Sequence, residues 1–195
     1  MHIEFEAVFS PIDVVEVRHK LREAHATLVQ PEFLQCSQVF FPPASAQLSN
    51  SWIRVREEAN HITLSLKEKQ EGEHIETQKE IEITINDRTK GKAFLEKIGC
   101  ICKADHQKKR EIWHLRACEV VIDTWPYLEP FIEIEGPDEA SVKEVARILG
   151  FSWSDARFHA VDQLYHESYG TPHQVINNET PIIHFDAPNP FLSSL

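Results

Sequence analysis

The sequence has little glycine and lacks the glycine motifs that bind nucleotide phosphates. Only six of its 195 residues are glycine. Neither the P-loop pattern G-x-x-x-x-G-K-[ST] nor the dinucleotide-binding pattern G-x-G-x-x-G occurs in it. Because both motifs rely on glycine to bring backbone amides close to a phosphate, the sequence argues against a P-loop enzyme and against a fold with that dinucleotide fingerprint.

Paired cysteine motifs and long hydrophobic runs are also missing. The four cysteines form no C-x-x-C motif, so we expect reduced thiols rather than a zinc site. No apolar run approaches the roughly 20 residues that span a bilayer. Glu4 and Glu6 interrupt the start of the chain, which argues against a signal peptide. We therefore expect a cytoplasmic protein that does not bind a membrane.

The charge balance disfavours one class of partner. The formal net charge of −11 is the opposite of the basic footprint that nucleic-acid binding needs, so we expect no nucleic acid. A small anionic ligand is still allowed, because the local field of a site can oppose the net charge. The hydrophobic fraction of 42% suits a packed core. We expect one domain over residues 1–169 and an irregular C-terminal tail over 170–195, and the sequence leaves a homodimer open.

Hydrophobic periodicity predicts an α+β protein. The predicted order is strand, helix, four strands, helix, three strands and two helices. The first helix is predicted over residues 13–29 and the strand after it over 36–41. Later helices are predicted over 87–99, 137–150 and 154–170, and each of these ranges ends at a glycine. Short turns between consecutive strands favour an antiparallel sheet that is closed or strongly curved.

Six of the predicted strands carry charges of one sign on alternate residues. Since alternate residues of a strand share a face, each strand would have a charged face and an apolar face. The acidic pairs are Glu4 and Glu6, Glu80 and Glu82, and Glu133 and Glu135. The basic pairs are Arg54 and Arg56, Lys67 and Lys69, and Lys108 and Arg110.

The charged faces have two readings that the pattern leaves open. They face bulk water, or they face one another inside a barrel. A shared interior would have a clear chemistry, because arginine and lysine neutralise phosphate oxygens. Clustered carboxylates supply the hard oxygen ligands that Mg²⁺ and Mn²⁺ prefer. Such an interior would suit a polyanion bound together with a divalent cation.

Six short motifs resemble one known family. "IEFEA", "IRVR", "LSLK", "KEIEI", "KKREIW" and "FIEIE" occur in the order found in the CYTH superfamily, also called the triphosphate tunnel metalloenzymes. The resemblance covers residues 1–169. The family includes thiamine triphosphatases, inorganic triphosphatases and class IV adenylate cyclases. The resemblance implies an eight-stranded antiparallel closed β-barrel, a tunnel with helices packed outside, and a C-terminal helix near residues 155–168 at one tunnel mouth.

The same resemblance implies a set of site residues and a cofactor. It implies that Mg²⁺ or Mn²⁺ binds to Glu4, Glu6, Asp123, Glu133 and Glu135. It implies that the triphosphate binds to Arg54, Arg56, Lys67, Lys108 and Arg110. Glu80 and Glu82 would be further acids of the tunnel. No separate catalytic residue stands out from these metal and phosphate ligands.

Val8 departs from the family signature Glu-x-Glu-x-Lys, in which lysine takes its place. Position 8 has the same strand parity as Glu4 and Glu6, so we expect its side chain to point into a water-filled tunnel. Valine cannot donate to a phosphate oxygen, and Gln78 stands where an arginine is frequent. The tunnel is therefore expected to be less cationic than is usual in the family.

Three functions are compatible with the sequence. The first is a metal-dependent phosphohydrolase that acts on inorganic triphosphate or on an organic one, such as thiamine or nucleoside triphosphate. The second is an adenylate cyclase of the class IV type, which makes cyclic AMP from ATP. The third is a protein that binds polyphosphate or nucleotide with little or no turnover, because the signature lysine is replaced by Val8.

Overall fold

The computed structural model of the protein describes residues 5–46, 48, 51–59, 61–69, 78–158 and 161–192. Glu4 lies outside the described residues. The side chains of Lys69 and Glu80 also lie outside the description, although both residues belong to strands.

The elements follow the predicted order, with one short strand added near the C-terminus. The helices are α1 (Val14–Glu23), α2 (Arg88–Lys97), α3 (Glu139–Ile148) and α4 (Val161–Tyr169). The first strands are β1 (Phe5–Phe9), β2 (Thr27–Phe41), β3 (Ser51–Glu58), β4 (His61–Lys69) and β5 (Gln78–Ile85). The others are β6 (Ile101–Leu115), β7 (Cys118–Thr124), β8 (Phe131–Gly136) and β9 (Ile182–Ile183).

The strands form a large, mainly antiparallel sheet, so the predicted α+β class is confirmed. The hydrogen-bonded order is β1-β8-β7-β6-β2-β3-β4-β5, and β9 pairs with β6 in parallel. Within the described part of the chain, β1 and β5 end this order and do not pair with each other. The sheet is not closed, and the expected barrel is therefore not confirmed.

The chain divides into two compact units. The first unit comprises Met1–Phe33 and Lys108–His173, and the second comprises Leu34–Gln107 and Gln174–Leu195. Strands β2 and β6 are each 15 residues long, and each contributes residues to both units. None of the helices in the described ranges combines the length and the apolar composition needed to cross a bilayer.

The first unit buries one face of its strands under α1 and α3. Alternate residues of β1, β6, β7 and β8 contribute apolar side chains, among them Ala7, Trp113 and Ile134. The two helices cover them with residues at helical spacing, such as Leu21 and Val145. Asp138 caps α3 by accepting a hydrogen bond from the Ser141 amide at 2.7 Å. The opposite face of these strands carries most of their charged side chains, together with apolar residues such as Val8, Val121 and Phe131.

Helix α1 is shorter than predicted. It ends at Glu23 rather than Val29, and His25 has a left-handed φ of 59°. The amide of Ala26 donates to the carbonyl of Leu21 at 2.9 Å, which completes a Schellman-type helix end. The residues that follow enter β2.

The second unit buries its apolar strand face under α2. Phe40, Val55, Leu95 and Cys100 form the buried cluster. Its C-terminal segment has a π-helical turn over Val175–Glu179, followed by β9. The C-terminal segment is held to β6 because the His184 ring lies 3.0 Å from the Asp105 carboxylate. The same carboxylate pairs with Arg88 at 3.4 Å and accepts a hydrogen bond from Gln38 at 2.6 Å.

Candidate functional site

The first unit carries a charged face on the side of its strands opposite the core. We call it the first charged face and define it by Glu6, Lys108, Arg110, Glu119, Asp123, Glu133 and Glu135. Strand pairing brings these residues together: Glu6 lies opposite Glu135 on β1 and β8, and Arg110 lies opposite Asp123 on β6 and β7. Residues directly opposite in an antiparallel pair share a face.

Asp123 is the centre of an ion-pair network on this face. Its Oδ1 accepts a hydrogen bond from Arg110 Nε at 2.8 Å, and its Oδ2 accepts one from Arg110 Nη2 at 2.6 Å. Lys108 Nζ donates to Oδ2 at 2.8 Å. Arg110 Nη2 also donates to Glu133 Oε2 at 2.7 Å. Two cations and two carboxylates are therefore interlocked, with the Asp123 side chain fully buried and that of Glu133 23% exposed.

Burial and neighbouring charges shift the pKa values of these groups. Burial alone would raise the pKa of Asp123, but Lys108 and Arg110 outweigh it and hold the pKa below its usual range. Burial raises the pKa of Glu133, and the charge of Asp123 adds to that rise. Burial also lowers the pKa of Lys108, an effect that Asp123 opposes. Asp123 therefore favours the charged form of Lys108.

Glu6 and Glu135 form a like-charged pair beside this network. They are direct cross-strand neighbours, an arrangement that is destabilising for two carboxylates. The Glu6 side chain is accessible to water, yet the surrounding protein limits the bulk solvent near it. This desolvation, together with the charges of Glu133 and Glu135, raises the pKa of Glu6 to about 7. The pair therefore has an excess of negative charge that a bound cation would relieve.

One end of the first charged face is apolar and covered by α4. Val8, Phe131 and Leu164 form a buried cluster there, and Val8 is 5% exposed. Tyr165 of α4 donates a hydrogen bond to the Pro126 carbonyl at 2.8 Å. Val8 does share a face with Glu133, its cross-strand neighbour, as its parity predicts. The expectation of a water-filled surrounding is wrong, because α4 packs against that end of the strands.

The second unit has a charged face of different composition. We call it the second charged face and define it by Arg54, Arg56, Thr63, Ser65, Lys67 and Glu82. Ser65 lies opposite Arg54 on one side and Glu82 on the other, and Thr63 lies opposite Arg56. Arg56 pairs with Glu58 at 3.2 Å and with Glu82 at 3.8 Å. Hydroxyl groups thus separate most of the charges on this face.

The hydroxyl groups of Thr63 and Ser65 are buried without a hydrogen-bond partner among the described residues. Thr63 and Ser65 are 3% and 0% exposed. Buried polar groups are normally hydrogen-bonded, so an orphaned pair beside two arginines calls for an explanation. An anionic acceptor at this face would supply one.

The structure groups the predicted site residues by unit. Those of the first unit are Glu6, Lys108, Arg110, Asp123, Glu133 and Glu135, and those of the second are Arg54, Arg56, Lys67, Glu80 and Glu82. Sequence reasoning missed Glu119, which lies opposite Glu135, and it missed Thr63 and Ser65. Strand parity could have found all three, since Glu119 has the parity of Asp123, and Thr63 and Ser65 have that of Lys67.

Carboxylate chemistry fits a hard divalent cation, although the ligands are not fully gathered. No group of three His, Cys, Asp or Glu side chains within the described ranges stands ready to hold one metal ion. Glu6 and Glu135, with Glu133 nearby, nevertheless supply the oxygen donors that Mg²⁺ and Mn²⁺ prefer. The charge excess at Glu6 favours a cation at the same place.

In the first unit, α1 and α3 cover the apolar face of an antiparallel sheet, and the opposite face carries an ordered ion-pair network. A family model described as the CYTH domain matches residues 4–160. The chain therefore belongs to the CYTH domain family, as the resemblance of its short motifs predicts. A comparison with curated protein sequences gives no significant match.

Solved structures share the fold. A conserved hypothetical protein from Pyrococcus furiosus is 24% identical with a TM-score of 0.65, covering 83% of this chain and 99% of its own. A putative adenylate cyclase from Vibrio parahaemolyticus is 14% identical with a TM-score of 0.66, covering 84% and 97%. A putative adenylyl cyclase from Hippeastrum, described as having a dominant triphosphatase activity, is 16% identical with a TM-score of 0.59, covering 88% and 97%. At these identities the similarity shows the fold alone.

Proposed function

We propose that this protein binds a triphosphate together with a divalent cation and hydrolyses it. The observation that carries the proposal is the like-charged pair of Glu6 and Glu135 beside the cations Lys108 and Arg110. A site that holds both excess negative charge and ordered positive charge suits a metal–polyphosphate complex better than either ion alone. Membership of the CYTH domain family supports an activity of this kind.

The carboxylates of Glu6, Glu133 and Glu135 would hold Mg²⁺ or Mn²⁺. A cation bound there would supply Lewis acidity and positive charge to the phosphate chain. Because Glu6 has a pKa of about 7, its carboxylate is partly protonated at neutral pH in the metal-free protein. The protein's part is to keep these oxygens on neighbouring strands, where they can act on one ion.

The cations would bind and orient the phosphate chain. Arg110 and Lys108 are already ordered by Asp123, so little side-chain entropy is lost when they bind an anion. On the second charged face, Arg54, Arg56 and Lys67 would bind phosphate oxygens, and the hydroxyls of Thr63 and Ser65 could donate to them. Each charged contact should contribute about 1.5–3 kcal/mol to binding.

The proposal is tested by measuring phosphate release from tripolyphosphate, thiamine triphosphate and ATP with Mg²⁺ or Mn²⁺. We expect turnover of at least one of them, which is lost in EDTA. Glu135→Gln should reduce kcat by about 100-fold or more, because metal-ion catalysis supplies several kcal/mol of charge stabilisation. Glu23→Gln is the matched control, since Glu23 is exposed on α1 and pairs with His19 at 3.2 Å.

The other outcomes separate the alternatives. Full activity in EDTA, or in Glu135→Gln, would contradict the metal-dependent reading. Cyclic AMP as the product from ATP would indicate the cyclase. Tight binding of tripolyphosphate without any product would indicate a binding protein with little turnover.

A further inference from the structure

We infer that Asp123 is a positioning residue that orients Lys108 and Arg110 for phosphate binding, and that it is not a ligand of the metal. The family resemblance would assign Asp123 to the metal together with the glutamates. This inference rests on the proposed function, and it divides the acids of the first charged face into two groups with different tasks.

The hydrogen bonds of Asp123 carry the first part of the argument. Both of its oxygens accept from cationic donors: Oδ1 from Arg110 Nε at 2.8 Å, and Oδ2 from Arg110 Nη2 at 2.6 Å and Lys108 Nζ at 2.8 Å. The side chain has no exposure to solvent. Three cationic hydrogen bonds occupy most of the about four acceptor positions of this carboxylate, so a metal ion bound there would compete with cations in a dry site. Displacing a cation would leave buried charge without its partner.

The geometry of the cations carries the second part. Asp123 binds Arg110 along the edge formed by Nε and Nη2, which fixes the plane of the guanidinium group. The same carboxylate holds Lys108 Nζ, which also lies 5.6 Å from the centre of the Trp125 ring. Two long side chains are thereby ordered by one short acid. Since long side chains lose much rotamer freedom on binding, this ordering favours capture of an anion.

Glu6 and Glu135 contrast with Asp123 in the features that matter to a metal ion. Glu6 is accessible to water and lies directly opposite Glu135, so two carboxylates stand side by side there. Asp123 is fully buried and hydrogen-bonded to both Lys108 and Arg110. The like-charged pair therefore suits a cation, while the charge of Asp123 is already compensated by its two cations.

The test measures two affinities separately by isothermal titration calorimetry. Mn²⁺ binding is measured without phosphate, and tripolyphosphate binding is measured in EDTA. We expect Asp123→Asn to weaken tripolyphosphate binding by about tenfold or more, because Lys108 and Arg110 lose the carboxylate that orders them, and to change the Mn²⁺ affinity by less than about threefold. Glu135→Gln should do the reverse, weakening Mn²⁺ binding by at least about tenfold while leaving tripolyphosphate binding in EDTA intact.

A residue that merely supports the fold would lower both affinities together, so the split between them is the decisive readout. Circular dichroism checks that the variants are folded at the assay temperature. Where Asp123→Asn does not fold, Asp123→Glu takes its place. It keeps the charge beside the two cations but displaces the carboxylate by one methylene, and the same split is expected.

A loss of Mn²⁺ affinity in Asp123→Asn or Asp123→Glu as large as that in Glu135→Gln would overturn the inference and leave the proposed function standing. Unchanged tripolyphosphate binding in both Asp123 variants would overturn it too. If the unmodified protein binds neither Mn²⁺ nor tripolyphosphate, the proposed function fails and the inference fails with it.

Discussion

The two charged faces arise from the same strand alternation, but their cations have different neighbours. On the first charged face, Lys108 and Arg110 are held by the buried carboxylate of Asp123, and like-charged acids stand beside that network. On the second, the cross-strand neighbours of Arg54 and Arg56 are the hydroxyl residues Ser65 and Thr63. The first face thus pairs its cations with a fully buried carboxylate, whereas the second pairs Arg56 with the partly exposed Glu58 and Glu82 and has hydroxyl residues opposite its arginines.

This difference shows that the charged residues of a strand face can either stabilise the fold or bind a ligand. Where cations are neutralised by buried acids, the ion pairs become part of the packing, and removing one partner leaves a buried charge. Where hydroxyls lie opposite the arginines, as Ser65 and Thr63 do, they offer further donors to an anion. The first face therefore combines ordered cations with excess acid, which suits a metal–phosphate complex, and the second combines arginines with hydroxyl donors.

Removal of an arginine from each face should give the largest contrast in stability. Arg110→Ala leaves Asp123 and Glu133 with one cation fewer in a buried site, which should lower the free energy of unfolding by about 3–5 kcal/mol. Arg56→Ala is the matched control on the second face. Neither of its partners, Glu58 and Glu82 at 15% and 39% exposed, is fully buried as Asp123 is, so the loss should be smaller, about 1 kcal/mol. Urea unfolding in EDTA measures both.

Equal stability losses in the two arginine variants would contradict the contrast between the faces. A loss in Arg56→Ala larger than that in Arg110→Ala would reverse it. Tripolyphosphate binding by each folded variant provides a second measurement, and both variants should bind more weakly than the unmodified protein.

Strand parity explains why much of this arrangement could be predicted from the sequence. Alternation alone predicts Glu133 and Glu135 on one face of β8 and Ile132 and Ile134 on the other. In the structure the two isoleucines are buried and the two glutamates are partly exposed. Glycine helix ends are also found, with Gly99 and Gly150 at positive φ after α2 and α3. Each of these predictions needed only local periodicity or local chain chemistry.

Features that depend on register or on distant contacts could not be predicted in this way. The partners of Asp123 follow from the pairing of β6 with β7, which sets Arg110 opposite it. The end of α1 depends on a left-handed residue, and His25 carries no glycine signal for it. The burial of Val8 depends on Leu164 of α4, a residue far away in the chain. The predicted closure of the sheet rested on the short turns between strands and on the family resemblance, and it is not confirmed.

A lysine at position 8 would test the apolar end of the first charged face. Val8 packs with Phe131 and Leu164, so Val8→Lys should be destabilising by about 1–3 kcal/mol, because the site must take a longer side chain and a charge. Val8→Met is the matched control, since it adds length without charge. Thermal and urea unfolding of the two variants separate the cost of volume from the cost of charge.

If Val8→Lys is as stable as Val8→Met and binds tripolyphosphate more tightly, α4 does not exclude water from this end of the face. Position 8 would then accept the signature lysine as the family pattern has it. We expect instead a greater loss of stability in Val8→Lys and no gain in tripolyphosphate affinity.

The smallest expected effect is the pH dependence that Glu6 gives to stability in the absence of metal. Its pKa rises from 4.5 to about 7 on folding, because burial and the charges of Glu133 and Glu135 disfavour its carboxylate form. The folded protein therefore binds more protons than the unfolded chain between these values. The contribution of Glu6 to stability is present below about pH 4.5 and is lost as the pH rises through about 7.

Since Glu6 is accessible to water, we expect a change of about 1 kcal/mol or less in the free energy of unfolding. Urea unfolding in EDTA between about pH 5 and pH 8 should show a decline in the free energy of unfolding. That decline should be shallower in Glu6→Gln and unaltered in Glu23→Gln. A steeper or equal decline in Glu6→Gln would mean that other acids dominate, and that the charge excess does not lie at Glu6.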